Sequence, residues 1–186
     1  MATQNTRLEA RSVLDFWFGE LTVEHHFAVD PATDAKIRRR FGALRESLFA
    51  TDAAGWQDDA ECLLAAILVL DQFSRNLYRG EGEAYAADPL ALDLCLAGIA
   101  QGFHADLEAR RRAFLYMPLM HCENRGVQLF SVRCFTEPGL EYNLEFAREH
   151  AAVIERFGRF PARNAALKRT STPEEETYLS GPGRHW

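Results

Sequence analysis

The chain has 186 residues, of which 47% are hydrophobic and 26% charged, and its formal net charge is −6. This length and composition are typical of one globular domain with a sizeable core, and they exclude long disordered or low-complexity regions. An acidic chain lacks the basic surface of a general nucleic-acid binder, and no apolar run is long enough to predict a membrane span, so neither nucleic acid nor a membrane is an expected partner.

Capping signals predict where several helices begin. Thr6-x-x-Glu9 is a capping-box pattern that is expected to open the first helix. Asp30-Pro31 and Asp88-Pro89 each predict an N-cap followed by the first helical position of a further helix. Between the first two helices, His25-His26 is expected to lie on the surface, because adjacent histidines are a poor chelating pair.

The most apolar stretch, residues 61–70, predicts a helix that is buried on most of its circumference. Polar residues follow it at specific angles, since an α-helix advances by about 100° per residue. Asp71 falls within the apolar arc, and Arg75 follows four residues later on the same stripe. Gln72 and Asn76 form a second pair with the same spacing.

A buried carboxylate at Asp71 requires a partner, because burying an unpaired charge is costly. The expected partner is Arg75, whose planar guanidinium can bind a carboxylate through two hydrogen bonds. Two interpretations of this pair remain open. It is either a buried clamp that holds neighbouring backbone, or part of a pocket for an anionic or polar ligand.

Further helices are predicted in the second half of the chain. Pro118 is expected to kink or end a helix, and residues 127–135 are assigned as helix because no other segment offers a strand partner. A later long helix places His150 on its apolar stripe as a core residue, and residues 172–175 open a last helix. Together these signals predict an all-α fold of about eight helices in antiparallel pairs, in a single domain over residues 1–186.

Just past Pro118 lies His121-Cys122-Glu123. On a helix, His121 and Glu123 would lie about 200° apart and could not bind one metal ion together, so no metal site is predicted. In an irregular segment the two side chains could converge. The alternative is that His121, which shares a helical face with Met117, is a hydrogen-bonded core histidine.

A pattern related to the central stretch returns at residues 157–169. This segment contains Arg159 and, after a phenylalanine, the pair Arg163-Asn164, just as Arg75-Asn76 follows a phenylalanine in the central stretch. The similar surroundings predict a shared structural role or one shared site. In the sharper version both pairs line one wall, which requires Arg75 and Arg163 to lie close together.

Five motifs, in this order, resemble the signatures of the bacterial domain of unknown function family number 924: Phe16-Trp17-Phe18-Gly19, Leu70-Asp71-Gln72-Phe73-x-Arg75-Asn76, Phe114-Leu115-Tyr116-Met117-Pro118 with His121-x-Glu123, Phe157-Gly158-Arg159-Phe160-Pro161-x-Arg163-Asn164, and Ser171-Thr172-Pro173-Glu174-Glu175. The resemblance covers nearly the whole chain. It implies an all-helical fold similar to the tetratricopeptide-like superfamily, and it implies no agreed activity or catalytic residue.

The chain departs from the pattern of that family at four positions. Pro, Ser, His and Gly are common in the family where this chain has Ser74, Cys122, Ala162 and Lys168. If the family histidine has a catalytic or ligand-binding role, its absence at Ala162 weakens an enzymatic interpretation of this chain.

The four cysteines, Cys62, Cys95, Cys122 and Cys134, have no Cys-x-x-Cys spacing. Disulfide frameworks are typical of small secreted domains, so buried free thiols are expected here instead. Residues 1–7 contain no apolar signal region, and no targeting motif follows. These features predict a cytoplasmic protein.

Several familiar chemistries are missing from the sequence. It contains no Gly-x-x-x-x-Gly-Lys-Ser/Thr or Gly-x-Gly-x-x-Gly loop, no Gly-x-Ser-x-Gly and no His-Glu-x-x-His. Nucleotide-driven enzymes, common serine hydrolases and zincins are therefore disfavoured, and no cofactor is expected. The sequence does not specify an oligomeric state.

Three hypotheses for the function follow. In the first, the protein binds a small anionic molecule or a peptide in a pocket between helices, lined by Asp71, Gln72, Arg75, Asn76, His121, Glu123, Arg159, Arg163 and Asn164. In the second, it is an enzyme that uses His121, Glu123 and Asp71 as acid–base groups. In the third, all signature residues are architectural and function lies on another surface. The sequence favours the architectural and binding hypotheses over catalysis.

Overall fold

The computed structural model describes residues 2–183 and 185–186, without the side chain of Phe27. The described part of the chain is helical and contains no strand, which confirms the predicted all-α fold. The α-helices are α1 (Gln4–Leu14), α2 (Val23–Phe27), α3 (Pro31–Ala50), α4 (Ala60–Ile67), α5 (Ser74–Leu77), α6 (Glu83–Ala86), α7 (Asp88–Ala100), α8 (Phe103–Asp106), α9 (Ala109–His121), α10 (Arg125–Cys134), α11 (Glu141–Phe157) and α12 (Pro173–Ser180). Two π-helical turns, Asp15–Glu20 and Leu68–Phe73, continue α1 and α4, and a 3-10 turn forms at Pro161–Arg163.

Local capping explains where several of these helices begin. Asp30 caps the first turn of α3 with its side chain, and Pro31 is the first helical residue, as predicted. At the start of α12, Thr172 and Glu175 form the two reciprocal hydrogen bonds of a capping box. The first helix starts earlier than the sequence suggests, because Thr3 rather than Thr6 is its N-cap.

The core is built around a long central helix that consists of α4, the π turn Leu68–Phe73 and α5. Residues 62–70 of this helix are 1% exposed or less, as the apolar run predicts. α4 contacts α1, α7 and α9, while the π turn and α5 contact α3. The central helix is therefore surrounded by neighbours, and its polar C-terminal end lies among them.

Aromatic side chains pack next to the polar end of the central helix. The ring centroids of Phe16 and Trp17 lie 6.0 and 5.5 Å from that of Phe73, and Phe41 of α3 lies 5.1 Å from Phe73. Trp17 also stacks on His26 at 4.3 Å, and Nε2 of His26 lies 2.8 Å from the Trp17 carbonyl oxygen. His26 is buried, so the expected surface position is wrong for this residue, whereas His25 is exposed as predicted.

The second half of the chain brings α9, α10 and α11 together around the same end of the central helix. Pro118 lies inside α9, which continues to His121, so the helix does not end at the proline. The helix predicted at residues 127–135 is present as α10. α9 contacts α7, α10 and α11, and it places the His121 side chain at its C-terminal end between these helices and the central helix.

Cys62, Cys95 and Cys134 are buried free thiols, as expected, and Cys122 is a half-buried free thiol. Burial raises the pKa of the Cys62 and Cys134 thiols to about 11, so both stay protonated at neutral pH. Over the residues that the structure describes, every helix is too short or too polar to cross a bilayer.

Candidate functional site

A central cavity of about 450 Å³ opens beside the C-terminal end of the central helix. The polar wall of this cavity comes from the π turn, α5 and the turn that follows α5: Gln72, Arg75, Asn76 and Arg79. The remaining lining is largely apolar or imidazole-bearing and comes from α9, α11, the C-terminus and the α2 region: Met117, Met120, His121, Tyr142, Asn143, Phe146, His150, Trp186, His26 and Ala28. The cavity therefore combines a charged wall with a mainly apolar lining.

A small cavity of about 190 Å³ adjoins the central cavity. Arg75, His121, His150 and Trp186 line both, so these side chains form the partition between them. The remaining walls of the small cavity are Tyr85, Phe160, Ala162, Arg163 and His185. Three of the predicted site residues therefore line the small cavity together: Arg75 of the central helix, His121 of α9 and Arg163 of the segment 159–164.

Asp71 is the fully buried residue at the base of the partition. Its Oδ1 lies 2.7 Å from Nδ1 of His121, and its Oδ2 accepts a hydrogen bond of 2.6 Å from Nε2 of Gln72. Burial alone would raise the pKa of Asp71, but the charge and hydrogen bond of His121, with the charge of Arg75, lower it to about 2. Asp71 is therefore an ionised carboxylate held by polar partners on both oxygens.

The tautomer of His121 follows from this carboxylate. An ionised carboxylate can only accept a hydrogen bond, so Nδ1 of His121 carries the proton that it donates to Asp71. In the neutral ring the lone pair then lies on Nε2. Arg163 also donates a hydrogen bond of 2.9 Å to the carbonyl oxygen of His121, which fixes the end of α9.

The prediction that Arg75 binds the carboxylate of Asp71 through two hydrogen bonds is wrong. The nearest contact between them is 3.8 Å, whereas Nη2 of Arg75 lies 2.8 Å from Asp88 and Nη1 donates to the Ala84 carbonyl oxygen. The i, i+4 spacing brings the two side chains near each other, but α6 and the start of α7 offer Arg75 a closer carboxylate and a carbonyl. Asp88 is the first residue of α7 rather than its N-cap.

Arg163 reaches the same carboxylate from the C-terminal part of the chain. Its Nη1 donates a hydrogen bond of 3.1 Å to Asp88, and its guanidinium lies over the Tyr85 ring at 4.7 Å, where Arg75 lies at 4.5 Å. The arginines of the two Arg-Asn pairs are thus close together, which meets the distance condition of the sharper hypothesis.

The asparagines of the two pairs do not share a site. Asn76 lines the central cavity and donates a hydrogen bond of 2.7 Å to Asp34, which also receives two hydrogen bonds from Arg79. Asn164 is buried elsewhere and donates to Ser171 at 3.0 Å. The hypothesis that both complete Arg-Asn pairs line one wall is therefore wrong.

Glu123 belongs to a polar cluster that lines neither cavity. It accepts a hydrogen bond of 2.8 Å from the Phe160 backbone nitrogen and two hydrogen bonds, of 2.7 and 3.0 Å, from Arg169. Glu123 lies two residues beyond the end of α9, and these partners differ from Asp71, which the His121 side chain contacts, so the two side chains do not form one site. The proposed acid–base set of the sequence therefore loses Glu123.

Arg159 and Asn164 are part of the same C-terminal polar cluster. Arg159 binds the buried carboxylate of Glu175 through hydrogen bonds of 2.6 and 2.7 Å, and Asn164 lies 3.3 Å from that carboxylate. Glu175 in turn caps α12. These contacts tie α12 to the segment before it, which is the architectural role of the third hypothesis.

His150 is a site residue that the sequence assigns only to the core. Its Nδ1 lies 2.8 Å from the Phe146 carbonyl oxygen, which can only accept, so Nδ1 carries a proton. Burial lowers the pKa of His150 to about 3, and the ring is therefore neutral with its lone pair on Nε2. The ring stacks on Trp186 at 4.1 Å and lies 6.1 Å from the His121 ring.

Among the described residues, no three His, Cys, Asp or Glu side chains are arranged to hold a metal ion. The groups that the cavities do offer are the guanidinium and amide donors of the polar wall and the imidazole acceptors of His121, His150 and His185. This set suits hydrogen bonding and proton transfer with a small ligand.

Comparisons with known proteins agree with the fold. The family described as "Bacterial protein of unknown function (DUF924)" matches residues 13–183. The chain belongs to this family. It is also similar to a solved structure titled "Structure of Protein of Unknown Function ATU0120 from Agrobacterium tumefaciens", with a TM-score of 0.89 and 36% sequence identity over 94% of this chain and 98% of that chain. The comparison with curated proteins gives no match.

Two departures from the DUF924 pattern have a clear structural setting. Ala162, where a histidine is common, lines the small cavity together with the imidazole of His185. Lys168, where glycine is common, has a φ of +55°, in the left-handed region that favours glycine. The first departure changes the wall of a cavity, and the second introduces backbone strain at an exposed turn.

Sequence reasoning missed Asp88, Tyr85 and Asp34, which hold the arginines of this DUF924 chain in place. Asp88 is noticeable in the sequence because Asp-Pro is an N-cap pattern. That pattern predicts a local role at the start of a helix, and it does not predict contacts with two distant arginines. The positions of Tyr85 and Asp34 depend on how α3 and α6 pack on the central helix, and no local pattern in the sequence encodes that.

Proposed function

We propose that this protein binds a small molecule with an anionic head group and an apolar body in the central cavity. The observation that carries the proposal is the mixed lining of the cavity, in which Arg75 and Arg79 occur together with Met117, Met120 and Phe146 around a volume of about 450 Å³. Ligand sites of this size are typical for small molecules, and they combine a mostly apolar lining with a few placed polar groups.

An anionic head group fits the donors that remain on the polar wall. A guanidinium has five N–H donors. Arg79 uses Nε and Nη2 on Asp34, and Arg75 uses its two terminal nitrogens on Ala84 and Asp88, so each side chain is held in place with donors to spare. A carboxylate or phosphate placed beside both arginines would gain charge-assisted hydrogen bonds without reorganising the wall.

A small molecule fits better than the peptide that the sequence hypothesis also allowed. The central cavity is lined by side chains from the central helix, α9, α11 and Trp186, which close it on several sides. An extended peptide needs an open groove or a sheet edge for its backbone hydrogen bonds. We therefore restrict the proposed ligand to a compact molecule.

Two further expectations from the sequence do not concern the ligand site, and both remain proposals. A relationship to the tetratricopeptide-like superfamily is supported by the consecutive contacts of α9 with α10 and of α10 with α11. A cytoplasmic location is supported by four free cysteines.

The experiment is a thermal-shift and calorimetric titration of the protein with small carboxylates and phosphates, succinate and phenyl phosphate among them. We expect a saturable stabilisation, because a ligand that binds only the native state raises the apparent stability. The Arg79→Ala variant should weaken binding by about tenfold, since it removes one charge-assisted contact.

The matched control is Arg148→Ala, which removes an exposed arginine of α11 that is not part of the cavity wall. It should bind the ligand as the wild type does. Absence of binding by every carboxylate and phosphate in the series, or equal loss of affinity in both variants, would contradict the proposal.

A further inference from the structure

The Asp71–His121 pair leaves one reactive atom at the wall of the central cavity. Nδ1 of His121 is committed to the buried carboxylate at 2.7 Å, and the lone pair on Nε2 is therefore available to a ligand. Both partners are held by further hydrogen bonds, from Gln72 to Asp71 and from Arg163 to the His121 carbonyl oxygen. A general base needs this combination of a fixed tautomer, a fixed orientation and a carboxylate that stabilises the imidazolium when it forms.

Water is the nucleophile that fits this base. Within the described residues, no serine, threonine or cysteine side chain is hydrogen-bonded to His121. Burial raises the pKa of the neighbouring Cys122 thiol, which disfavours a thiolate there. The base is therefore free to take a proton from a water molecule in the cavity rather than from a protein nucleophile.

A positive charge lies beside the base. Arg75 lines both cavities with His121, and its guanidinium lies 3.8 Å from Asp71. Its position is fixed by Asp88 and by the Tyr85 ring. A preorganised cation at this place would stabilise the negative charge that develops on the oxygen of a carbonyl group under attack.

We infer that the protein hydrolyses an ester of a small carboxylate-bearing molecule, with His121 as the general base in the central cavity. This inference rests on the proposed binding of an anionic ligand and adds a reaction to it. Nε2 of His121 removes a proton from water while the water oxygen forms a bond to the ester carbonyl carbon and the π electron pair of the carbonyl group moves onto its oxygen. The carbonyl double bond then re-forms as the bond from that carbon to the alcohol oxygen breaks, and the imidazolium returns its proton to the leaving alkoxide.

The products are a carboxylic acid and an alcohol, so the step needs no reactant other than the ester and water. His121 is the catalytic residue, and Asp71 is a positioning residue that acts through it. The titratable and charged groups around His121 come from several elements: Asp71 and Arg75 from the central helix, Asp88 from α7, His150 from α11 and Arg163 from the 3-10 turn.

The test uses 4-nitrophenyl hydrogen succinate, which has a free carboxylate and a labile ester, and follows the release of 4-nitrophenolate. The wild type should show saturable release that exceeds the rate with the same concentration of free imidazole. His121→Gln should lower kcat by about a hundredfold or more, because positioned general bases contribute rate factors of that order.

His25→Gln is the matched control, because it removes an exposed histidine that lines neither cavity, and it should leave kcat unchanged. Asp71→Asn tests the positioning role and should lower kcat with little change in KM. If Asp71→Asn does not fold, His121→Gln decides alone, since the His121 side chain is less completely buried than Asp71.

The outcomes separate the reaction from the binding. If succinate stabilises the wild type but the ester is hydrolysed no faster than by free imidazole, or if His121→Gln retains the wild-type kcat, the catalytic inference is overturned and the proposed binding stands. If neither succinate nor the other carboxylates and phosphates bind, the proposed function fails and the inference fails with it.

Discussion

Arg75 and Arg163 hold one carboxylate between them, although they come from opposite halves of the chain. Asp88 lies 2.8 Å from Nη2 of Arg75 and 3.1 Å from Nη1 of Arg163, and both guanidinium groups lie over the ring of Tyr85. The carboxylate of Asp88 therefore offsets the repulsion between two cations that would otherwise face each other in a poorly solvated place.

Removal of this carboxylate should destabilise the fold. We expect Asp88→Asn to lower the free energy of unfolding by roughly 2–4 kcal/mol, because it leaves two partly buried guanidinium groups without a counter-charge. Urea denaturation measures the change. Asp93→Asn, which alters an exposed aspartate of the same helix, should have little effect. Equal stability of the two variants would show that the shared carboxylate contributes nothing to the fold.

The Asp71–His121 pair should make stability depend on acid pH. The pKa of Asp71 is lowered to about 2, whereas the ordinary pKa of an aspartate, which applies in the unfolded chain, is 3.8. For a lowered pKa, the stabilisation is present above the unfolded value and is lost as the pH falls through the folded value. We therefore expect about 2 kcal/mol to be lost between about pH 5 and pH 2.

The Asp71→Asn variant should lack that part of the pH dependence, because it has no carboxyl group at this position to titrate. Denaturation curves at a series of acid pH values provide the comparison. Asp106→Asn, at an exposed aspartate, should keep the wild-type slope. A slope that is identical in Asp71→Asn and the wild type would mean that the buried pair is not linked to folding.

Glu123 should contribute to stability and not to ligand binding. Its carboxylate joins the Phe160 backbone to Arg169, so Glu123→Gln should cost roughly 2 kcal/mol, which is typical for hydrogen bonds to a charged group. The affinity of the central cavity for its anionic ligand should not change, because Glu123 does not line it.

The control for this prediction is Glu155→Gln, which removes an exposed carboxylate that lies 3.6 Å from Arg125. It should change stability by a few tenths of a kcal/mol at most, as surface ion pairs commonly do. A large loss of ligand affinity in Glu123→Gln, with the stability intact, would instead support the ligand-binding role that the sequence suggested for this residue.

Lys168→Gly should stabilise the protein. A side chain at a φ of +55° is strained, and glycine removes that strain at the cost of a more flexible unfolded chain. The expected net gain is about 0.5–1 kcal/mol in thermal or urea denaturation. Lys168→Ala keeps the Cβ atom and should show no such gain. Equal stabilisation by both substitutions would point to the lysine charge rather than to the backbone.

The parts of the fold that the sequence predicts correctly are those that neighbouring residues determine. The start of α3 at Asp30-Pro31 and the capping box at Thr172 satisfy backbone groups within one helical turn, and the buried central helix follows from its own apolar run. Such features need no information about distant segments. The sequence therefore establishes the helical class and several boundaries without the structure.

The site is less predictable because its partners are chosen by packing. The i, i+4 spacing predicts that Arg75 is the partner of Asp71. In the structure, however, the shorter contact of Asp71 is with His121 on α9, and the shorter contact of Arg75 is with Asp88 on α7. The two Arg-Asn pairs have similar neighbours in the sequence, yet Asn76 faces a cavity and Asn164 is enclosed in the C-terminal cluster. Two segments with similar local sequences can therefore pack against different helices, and the local sequence alone does not predict which.

The π turn at Leu68–Phe73 makes the site tolerant of one change in the length of the central helix. A π turn accommodates one residue more than an α-helical turn does, for about the same rotation. Loss of one residue from this turn would therefore restore a continuous α-helix and leave α5 facing in nearly the same direction, so that Arg75 would still point towards Asp88 and Tyr85. In a helix without a π turn, loss of one residue turns every later side chain by about 100°. A one-residue gap at this place in a related chain would thus be compatible with the same pocket.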